Sequence, residues 1–341
     1  MLGLRERGHR AVLVAHREGE LFRRASEGPD LVPLAPMNEI DLAAAWRLSK
    51  IIRQSRPEIV HAHDPHAVSM AALALSFSAP NPRPKTIASR RVDFHLQSNT
   101  FSQWKYRQMD AFIAASGAIR DILISDGIAA DRIHVVHDGI DVAKIAHRDA
   151  IDVHTEYWLP HGVPVIVNVG ALVGHKGQRF LVEAMPLVIR EVPDAHLVIF
   201  GEGELRQPLE KQIKQLNLSK RVLLPGFRED VLSVMKSADL VVMSSVTEGL
   251  GSAVLDAMAM GHAVVGTRAG GIPEAIVRGE TGLLVEPGNA RALAEAIVTM
   301  LKRDDLRKAY GEAGRRRVAE HFDVDNLVDG TLGVYQRVAG R

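Results

Sequence analysis

The sequence contains no cysteine among its 341 residues, which excludes disulfide bonds, zinc thiolate sites and a cysteine nucleophile. It also lacks an apolar run of about 18 residues, the length that a membrane-spanning helix needs. Its first residues, MLGLRERGHR, lack the apolar core of a signal peptide. Lys and Arg number 42 against 41 Asp and Glu, so the charge balance gives no general case for binding nucleic acid. These absences fit a cytoplasmic location.

Short apolar runs alternate with helical patterns along the whole chain. The predicted strands lie at 11–15, 58–62, 85–88, 111–115, 133–136, 164–170, 196–201, 221–224, 239–243, 263–266 and 282–285. Runs that are apolar on both faces are typical of parallel strands covered by helices. Apolar residues at three- and four-residue spacing predict helices at 178–191 and 204–216. The fold class is therefore α/β, with two Rossmann-like, doubly wound domains.

The stretch 142–163 is polar and ends in a Pro/Gly cluster, which indicates a domain boundary. We assign 1–150 to the first domain, 151–320 to the second and 321–341 to a C-terminal helix. Near the N-terminus, LRERGH is typical of a helix end with Gly8 as its cap. No strand-like run precedes this helix, so we expect the first domain to lack the opening strand of a doubly wound sheet.

Two acidic residues mark the segment TEGLGSAVLDAMAMG. Glu248 lies in a glycine-rich loop after a predicted strand, and a helix is expected to begin at about Gly251. Open α/β sheets bind ligands at the carboxyl ends of their strands, and the amides at a helix start favour an anion such as a diphosphate. Asp256 lies about one turn inside the helix, so the two acids could hold different parts of one long ligand. The alternative is an ordinary tight turn with Asp256 as a surface acid.

A second glycine-rich loop, NVGALVGHKGQ, places Lys176 among Gly170, Gly174 and Gly177. Its spacing is not that of a Walker A loop, because one residue separates the second glycine from the lysine and no Ser or Thr follows. A lysine in such a loop is a good phosphate partner, although a solvated lysine would give the same pattern.

Further glycine turns follow other strands of the second half, in FGEGEL, PGFRED and GTRAGGIPEAI. Because the carboxyl ends of parallel strands share one edge of a sheet, these turns should face the same ligand. They contribute Gly201, Gly226, Phe227, Gly270 and Gly271.

The first half offers two other candidate sites. The segment VHAHDPH clusters histidines around Asp64, which suggests a metal, but its order does not match the H-x-H-x-D-H pattern of metallo-hydrolases. These histidines more simply line a cleft or cap the strand. The stretch 89–108 is basic with interleaved aromatic residues, so it could meet an anionic acceptor or a membrane surface. A charged helix face with buried aromatics is the alternative.

Taken together, these segments resemble glycosyltransferase family 4, a group of retaining transferases with the GT-B fold. The matching pieces are GALVGHKG, VIFGEGEL, LPGFREDV, TEGLGSAVLDAMAMGHAVVGTRAGGIPEAI and GETGLLVEPGN, with looser matches at IVHAHDPHA, DAFIAASGAIRDIL and IHVVHDGID. The resemblance implies two Rossmann-like domains that face a cleft. The second would hold a nucleotide-sugar and the first a glycan or lipid-linked acceptor, with a C-terminal helix that crosses back to the first domain.

The resemblance also implies roles for individual residues. Glu248 would contact the hydroxyls of the donor sugar, and Asp256 would grip the ribose. Lys176 would neutralise the diphosphate leaving group, which is the main catalytic device available. The other implied donor-site residues are Gly249, Leu250, Gly251, Gly174, Gly201, Gly226, Phe227, Gly270 and Gly271. Arg91 and His95 are candidates for the position of a first-domain histidine. No metal and no cofactor are implied, and a donor of the UDP, GDP or ADP type is left open.

The sequence departs from the family pattern in ways that keep alternatives open. Asp256 replaces a glutamate, Ala171 stands where an arginine is common, and the opening strand with its glycine-rich loop has no counterpart. Without the opening strand and its loop, we expect an incomplete sheet in the first domain and poor activity. The alternatives are a relative that binds a nucleotide or glycan without turnover, and a GT-B sugar-nucleotide epimerase. A dinucleotide oxidoreductase is disfavoured by the lack of G-x-G-x-x-G. Peripheral contact with the cytoplasmic face of a membrane is left open.

Overall fold

A computed structural model describes residues 1–25 and 30–340. Its strands are β1 (Leu13–Ala15), β2 (Leu31–Pro33), β3 (Ile59–Ala62), β4 (Lys85–Arg90), β5 (Ala111–Ala114), β6 (Ile133–Val135), β7 (Val165–Val169), β8 (His196–Phe200), β9 (Val222–Gly226), β10 (Leu240–Met243), β11 (Val264–Thr267) and β12 (Gly282–Val285). Every strand expected from the apolar runs is present, which confirms those predictions. The short β2 was not predicted.

The α-helices lie before, between and after the strands. They are α1 (Leu2–Glu6), α2 (Glu20–Arg24), α3 (Leu42–Ser55), α4 (Pro65–Phe77), α5 (Thr100–Arg107), α6 (Gly117–Ser125), α7 (Val142–Ala146), α8 (Val153–Glu156), α9 (Gln178–Glu191), α10 (Arg206–Gln215), α11 (Val231–Met235), α12 (Ser252–Ala259), α13 (Ile272–Ala275), α14 (Ala290–Lys302), α15 (Asp304–His321) and α16 (Val324–Ala339). Helix α9 has the predicted bounds, and Gly8 follows the end of α1 with a φ of +82°. Among the described residues, no helix has the length and apolar character needed to cross a bilayer.

The chain divides into two compact units. Unit 1 contains Met1–Val136 together with the segment from Asp325 onward, and unit 2 contains His137–Val324. Residues 137–150, which the sequence analysis assigned to the first domain, lie in unit 2. The physical reason is that Ile140 donates its N–H to the Phe322 carbonyl, at 2.9 Å, and Ile145 is buried in the core of unit 2.

Unit 1 contains two separate parallel sheets in its described residues, β1–β2 and β3–β4–β5–β6. Val14 of β1 and Val60 of β3 both pack against one apolar cluster, which α3 and α4 supply through side chains such as Leu48 and Met70. The two sheets therefore share a layer of helices without a hydrogen-bonded strand between them. A sheet in two pieces agrees with the expected incomplete first-domain sheet.

Unit 2 is a doubly wound domain with one parallel sheet of order β12–β11–β10–β7–β8–β9. Apolar clusters cover both faces. One cluster includes α12 and α15, and the other includes α9, α10 and α14. All residues of β8 are buried, as expected for a strand between two helical layers. The carboxyl ends of β7, β10 and β11 lie side by side, so the three loops that follow them meet at one edge.

Candidate active site

The loops after β7 and β10 are joined by backbone hydrogen bonds. The N–H groups of Val246 and Thr247 donate to the carbonyl of His175, at 2.7 and 3.3 Å. Gly177 makes this approach possible, because it has a φ of +64° and a Cβ there would lie 2.1 Å from the Ser244 carbonyl oxygen. The loop after β7, which carries Lys176 and is called the lysine loop below, is therefore bound directly to the loop after β10, which carries Glu248.

Lys176 and Glu248 meet between these two loops. Lys176 Nζ donates to Glu248 Oε2 at 2.6 Å, and the two side chains are only 20% and 12% exposed. The Ser245 hydroxyl donates to the same oxygen at 3.0 Å. A short, sheltered ion pair of this kind is a charge-assisted hydrogen bond, which fixes both side chains before any ligand arrives. An anionic ligand could take the lysine while the carboxylate remains held by the serine.

The loop after β11 fixes the backbone of Glu248. Gly271 donates its N–H to the Glu248 carbonyl at 3.2 Å. Gly270 has a φ of +49°, and a Cβ there would lie 1.7 Å from the same carbonyl oxygen, so only glycine fits. The hydroxyl of Thr267 donates to the Ser245 carbonyl at 2.6 Å.

Helix α12 starts at this edge. It begins at Ser252 with Gly251 as its N-cap, at a φ of +89°, and no side chain in the described part of the chain caps its first turn. The amides of that turn remain open to an anion. Leu250 is buried, so Gly249 and Leu250 contribute backbone rather than side chains to the loop.

The remaining predicted glycines differ in their surroundings. Gly201 has a φ of +139°, and a Cβ there would lie 2.0 Å from the Gly170 carbonyl oxygen. Gly226 accepts a hydrogen bond from the Gly201 N–H at 2.9 Å, and Phe227 beside it is 67% exposed. Gly174, by contrast, has open space where a Cβ would point. The turns after β7, β8 and β9 are therefore packed together, with an exposed aromatic at their margin.

The surroundings of Asp256 differ from those of the Lys176–Glu248 pair. Asp256 projects from α12 among apolar residues, and no described residue donates a hydrogen bond to its carboxyl group. Burial raises the pKa of Asp256 to about 6, and the Arg148 guanidinium offsets part of that rise. The Arg148 Nε is itself buried without a hydrogen-bond partner among the described residues. A half-buried acid beside an arginine with an unpaired, buried Nε is typical of a ligand site.

In unit 1, the predicted residues Arg91 and His95 lie in the segment after β4. His95 Nδ1 contacts Asp126 Oδ1 at 2.6 Å, and the His95 side chain is 69% exposed. Desolvation inside the histidine cluster, followed by the charge of Arg91, lowers the pKa of His63, although part of its surface is exposed. The structure thus places Arg91 near the VHAHDPH cluster and His95 on the surface beside α6.

His61, the first histidine of the VHAHDPH segment, is paired within unit 1. His61 contacts the Tyr335 hydroxyl through Nδ1 and the Ser89 hydroxyl through Nε2, both at 2.7 Å. Both ring nitrogens are therefore occupied, and the ring contacts His63 in a tilted arrangement, with centroids 4.1 Å apart and 31° between the ring planes. Burial lowers the pKa of His61 well below its ordinary value, so the ring is neutral near pH 7.

The basic-aromatic stretch 89–108 is mostly at the surface, and its buried residues are Ser89, Ser102, Lys105 and Tyr106. Tyr106 is buried, and the buried Lys105 ammonium donates to Glu39 Oε2 at 3.1 Å and to the Ser69 hydroxyl at 3.0 Å. Phe94, at 52% exposed, is the member that faces solvent most clearly. Lys105 therefore stabilises the fold of unit 1, which favours the alternative of a helix with a buried aromatic for this part of the stretch.

Sequence reasoning missed several residues that shape the site. Ser245 and Thr267 hold the Glu248 loop, and the charge of Arg148, in the segment after α7, acts on Asp256. The serine lies three residues before the glutamate and could have been suspected from that spacing. No sequence signal links positions 148 and 256, because their proximity arises from the packing of α7 on α12.

Comparison with known proteins agrees with this architecture. The family model "Glycosyl transferases group 1" matches residues 153–317, and "Glycosyltransferase Family 4" matches residues 1–144. A similar curated protein is the N-acetyl-alpha-D-glucosaminyl L-malate synthase of Bacillus anthracis, 28% identical, with 87% of this chain and 79% of that protein aligned. Another is the lipopolysaccharide core biosynthesis glycosyltransferase LpsE of Rhizobium meliloti, 27% identical over 96% of this chain and 91% of the relative.

Solved structures agree with the fold. A glycosyltransferase from Rickettsia africae has a TM-score of 0.84 at 22% identity and covers 98% of this chain and 92% of its own. Anabaena HepE in complex with UDP-glucose has a TM-score of 0.78 at 21% identity, with 99% and 92% covered. The fold is therefore that of the GT-B glycosyltransferases, with parallel-stranded Rossmann-like domains. The two family matches place the chain more narrowly: it belongs to glycosyltransferase family 4.

Proposed function

We propose that this chain is a retaining glycosyltransferase that moves a sugar from a nucleotide-sugar donor to a glycan or lipid-linked acceptor. The observation that carries the proposal is the sheltered Lys176–Glu248 pair at the edge where α12 begins. A cation, open helix amides and a carboxylate at one edge of a sheet suit a ligand with a diphosphate and a sugar. LpsE, one of the relatives named above, is a named glycosyltransferase, and three HepE structures contain UDP, UDP-glucose or UDP with glucose.

In this proposal each charged group has one task. The bond between the anomeric carbon and the diphosphate oxygen breaks, and the acceptor oxygen bonds to that carbon on the same face. The acceptor proton leaves with the nucleoside diphosphate. Lys176 and the first amides of α12 stabilise the negative charge of the leaving group, so no metal is required. Glu248 holds the donor sugar hydroxyls, and Asp256 with Arg148 faces the ribose.

Binding is tested first by thermal unfolding with UDP, GDP, ADP and CMP in turn. A nucleotide at about a hundred times its dissociation constant stabilises its site by roughly 2.7 kcal/mol. A rise in the unfolding temperature with one nucleotide names the donor class. No rise with any of them, in a protein that unfolds cooperatively, would contradict the proposed donor site.

Transfer is tested next with the matching nucleotide-sugars. Glu248→Gln and Lys176→Ala should each lower kcat/KM roughly 100-fold or more, the effect of removing one group that stabilises transition-state charge. The exposed Glu280 and Lys211 supply matched controls, Glu280→Gln and Lys211→Ala, which should retain activity. Unchanged transfer in Glu248→Gln would overturn the proposed role. Activity that survives a chelator would support the proposal that catalysis uses no metal.

The same assays separate the alternatives. A nucleotide that binds without transfer or slow donor hydrolysis would identify a relative that binds without turnover. A sugar nucleotide converted in the absence of any acceptor would identify an epimerase.

A lipid-linked acceptor would bring the protein to the cytoplasmic face of a membrane, and we propose a peripheral contact there. Val92 and Phe94 support this, since they are 44% and 52% exposed in the basic segment after β4. Flotation with phosphatidylglycerol vesicles should recover the wild type, and the double change Val92→Ser with Phe94→Ser should reduce that recovery. Equal recovery of both proteins, or none of either, would remove the membrane part of the proposal.

A further inference from the structure

Two histidines and an aspartate cluster at the end of β7 that lies opposite the lysine loop. Asp152 is the N-cap of α8, and its carboxylate accepts hydrogen bonds from the His154 amide at 3.1 Å and the Thr155 hydroxyl at 2.7 Å. His161 lies in the turn that leads into β7. One ligand atom from each of Asp152, His154 and His161 falls within 4.8 Å of the other two. The five residues of β7, about 16 Å of extended chain, separate this cluster from the loop that carries Lys176.

The ring of His154 is held in one orientation by the backbone. Its Nε2 lies 2.9 Å from the carbonyl oxygen of Val163, which can only accept, so Nε2 carries a hydrogen. The neutral ring then points its Nδ1 lone pair at Asp152 Oδ1, 3.2 Å away. Two acceptors that face each other need a positive charge between them, either a proton or a metal ion. Histidines that bind metals commonly donate their other N–H to a backbone carbonyl in this way.

The spacing of the ligand atoms fits a small tetrahedral ion. Zn²⁺ binds imidazole nitrogen and carboxylate oxygen at about 2.0–2.2 Å, which places two of its ligands about 3.3 Å apart. The Nδ1–Oδ1 distance of 3.2 Å in this pair matches that value. His161 Nδ1 lies 4.0 Å from Asp152 Oδ2, and its side chain is 79% exposed, so a small rotation completes a three-ligand set with room for water.

The loop that carries these ligands is anchored at both ends. Val153 is fully buried and donates its N–H to the Ser237 hydroxyl at 3.0 Å, while Leu159 lies in the core of unit 2. Between the histidines, Trp158 is 92% exposed and has a φ of +50°. These contacts hold Asp152 and His154 in place. The exposed Trp158 supplies a fluorescence reporter.

We propose that Asp152, His154 and His161 bind one Zn²⁺ ion that closes the loop between α8 and β7. The set of two imidazoles and one carboxylate is of the kind that zinc prefers over magnesium or calcium. Because the cluster lies at the end of β7 opposite the lysine loop, the ion stabilises unit 2 and takes no part in sugar transfer.

The test is calorimetric titration of ZnCl₂ into the full chain, without an affinity tag, near neutral pH. The wild type should bind one ion per chain, and His161→Ala should weaken binding roughly tenfold or more. His147→Ala removes an exposed histidine of unit 2 outside the cluster and should leave binding unchanged. Equal affinity in the wild type and His161→Ala, or equal weakening in both variants, would overturn the proposal and leave a proton on His154 as the only bridge.

A second readout guards against effects of the variants on folding. Co²⁺ should give the visible absorption of a tetrahedral site in the wild type and lose it in Asp152→Asn and His161→Ala. Cu²⁺ should quench the fluorescence of the wild type more than that of Trp158→Phe, since the tryptophan lies between the two histidines in the chain. Absence of the Co²⁺ absorption in a folded wild-type protein would also refute the site.

Discussion

Asp256 offers a quantitative test of the energetics of the site. Burial raises its carboxyl pKa from 3.8 to about 6. The folded protein therefore holds the proton more tightly than the unfolded chain does, and the stability that protonation supplies is lost as the pH rises from about 4 to about 6. Above that range the ionised carboxylate lowers the free energy of unfolding by up to about 3 kcal/mol.

Replacing Asp256 with asparagine should remove this penalty. The variant Asp256→Asn should match the wild type near pH 4 and exceed its free energy of unfolding by up to about 3 kcal/mol near pH 8. For a domain of this size the upper bound corresponds to a rise in Tm of about 6–12 °C. Thermal unfolding followed by circular dichroism across this pH range measures the difference. The exposed Asp149 provides a matched control, because Asp149→Asn removes the same charge without a buried site.

The outcome that would refute the reasoning is a difference between Asp256→Asn and the wild type that does not vary with pH. An equal effect of Asp149→Asn would refute it as well, since net charge rather than burial would then be the cause. The same variant should also bind nucleotide more weakly if its carboxylate faces the ribose. A gain in stability with a loss in affinity is the behaviour expected of a residue kept for function.

Three further predictions concern packing. Gly270→Ala should lower the free energy of unfolding of unit 2, measured by urea titration, by about 1–3 kcal/mol, because the new Cβ clashes with the Glu248 carbonyl oxygen. Gly174→Ala, measured in the same way, should be nearly neutral. Lys105→Met should destabilise unit 1 by about 1–3 kcal/mol, because the Pro65 carbonyl and the Ser69 hydroxyl lose their buried donor, and the exposed Lys85→Met should not; equal effects would contradict the importance of burial. Tyr335→Phe should cost about 1–3 kcal/mol, measured by hydrogen exchange in unit 1, because it leaves a buried histidine nitrogen unpaired. Unchanged exchange there would contradict it.

The strands and most helices could be predicted because their signal is local. A run such as HLVIF is apolar on both faces, and it became the fully buried β8. The exception is β2, which has only three residues and ends at a proline, so it has too few residues to show a period. The boundary between the units was placed later than the structure has it, because Ile145 packs on unit 2 although its neighbours are polar.

The candidate site could be predicted as a neighbourhood but not as a geometry. Parallel strands bring the loops of Lys176 and Glu248 to one edge, which follows from the order of the elements. The direct ion pair between the two side chains depends on how Gly177 and Gly270 let the loops approach, and this is set in three dimensions. The proximity of Arg148 to Asp256 has the same origin.

The path of the chain has a consequence for synthesis. Unit 2 is one continuous segment whose ends are joined, since Ile140 exchanges backbone hydrogen bonds with Phe322 and Val324. Unit 1 is interrupted by it and receives Val334 and Tyr335 only from the final helix. On the ribosome, where domains fold as they emerge, the unit that is begun first is therefore completed last. Until α16 is released, the apolar surface that Val334 covers on β4 and β5 stays open to solvent and to chaperones.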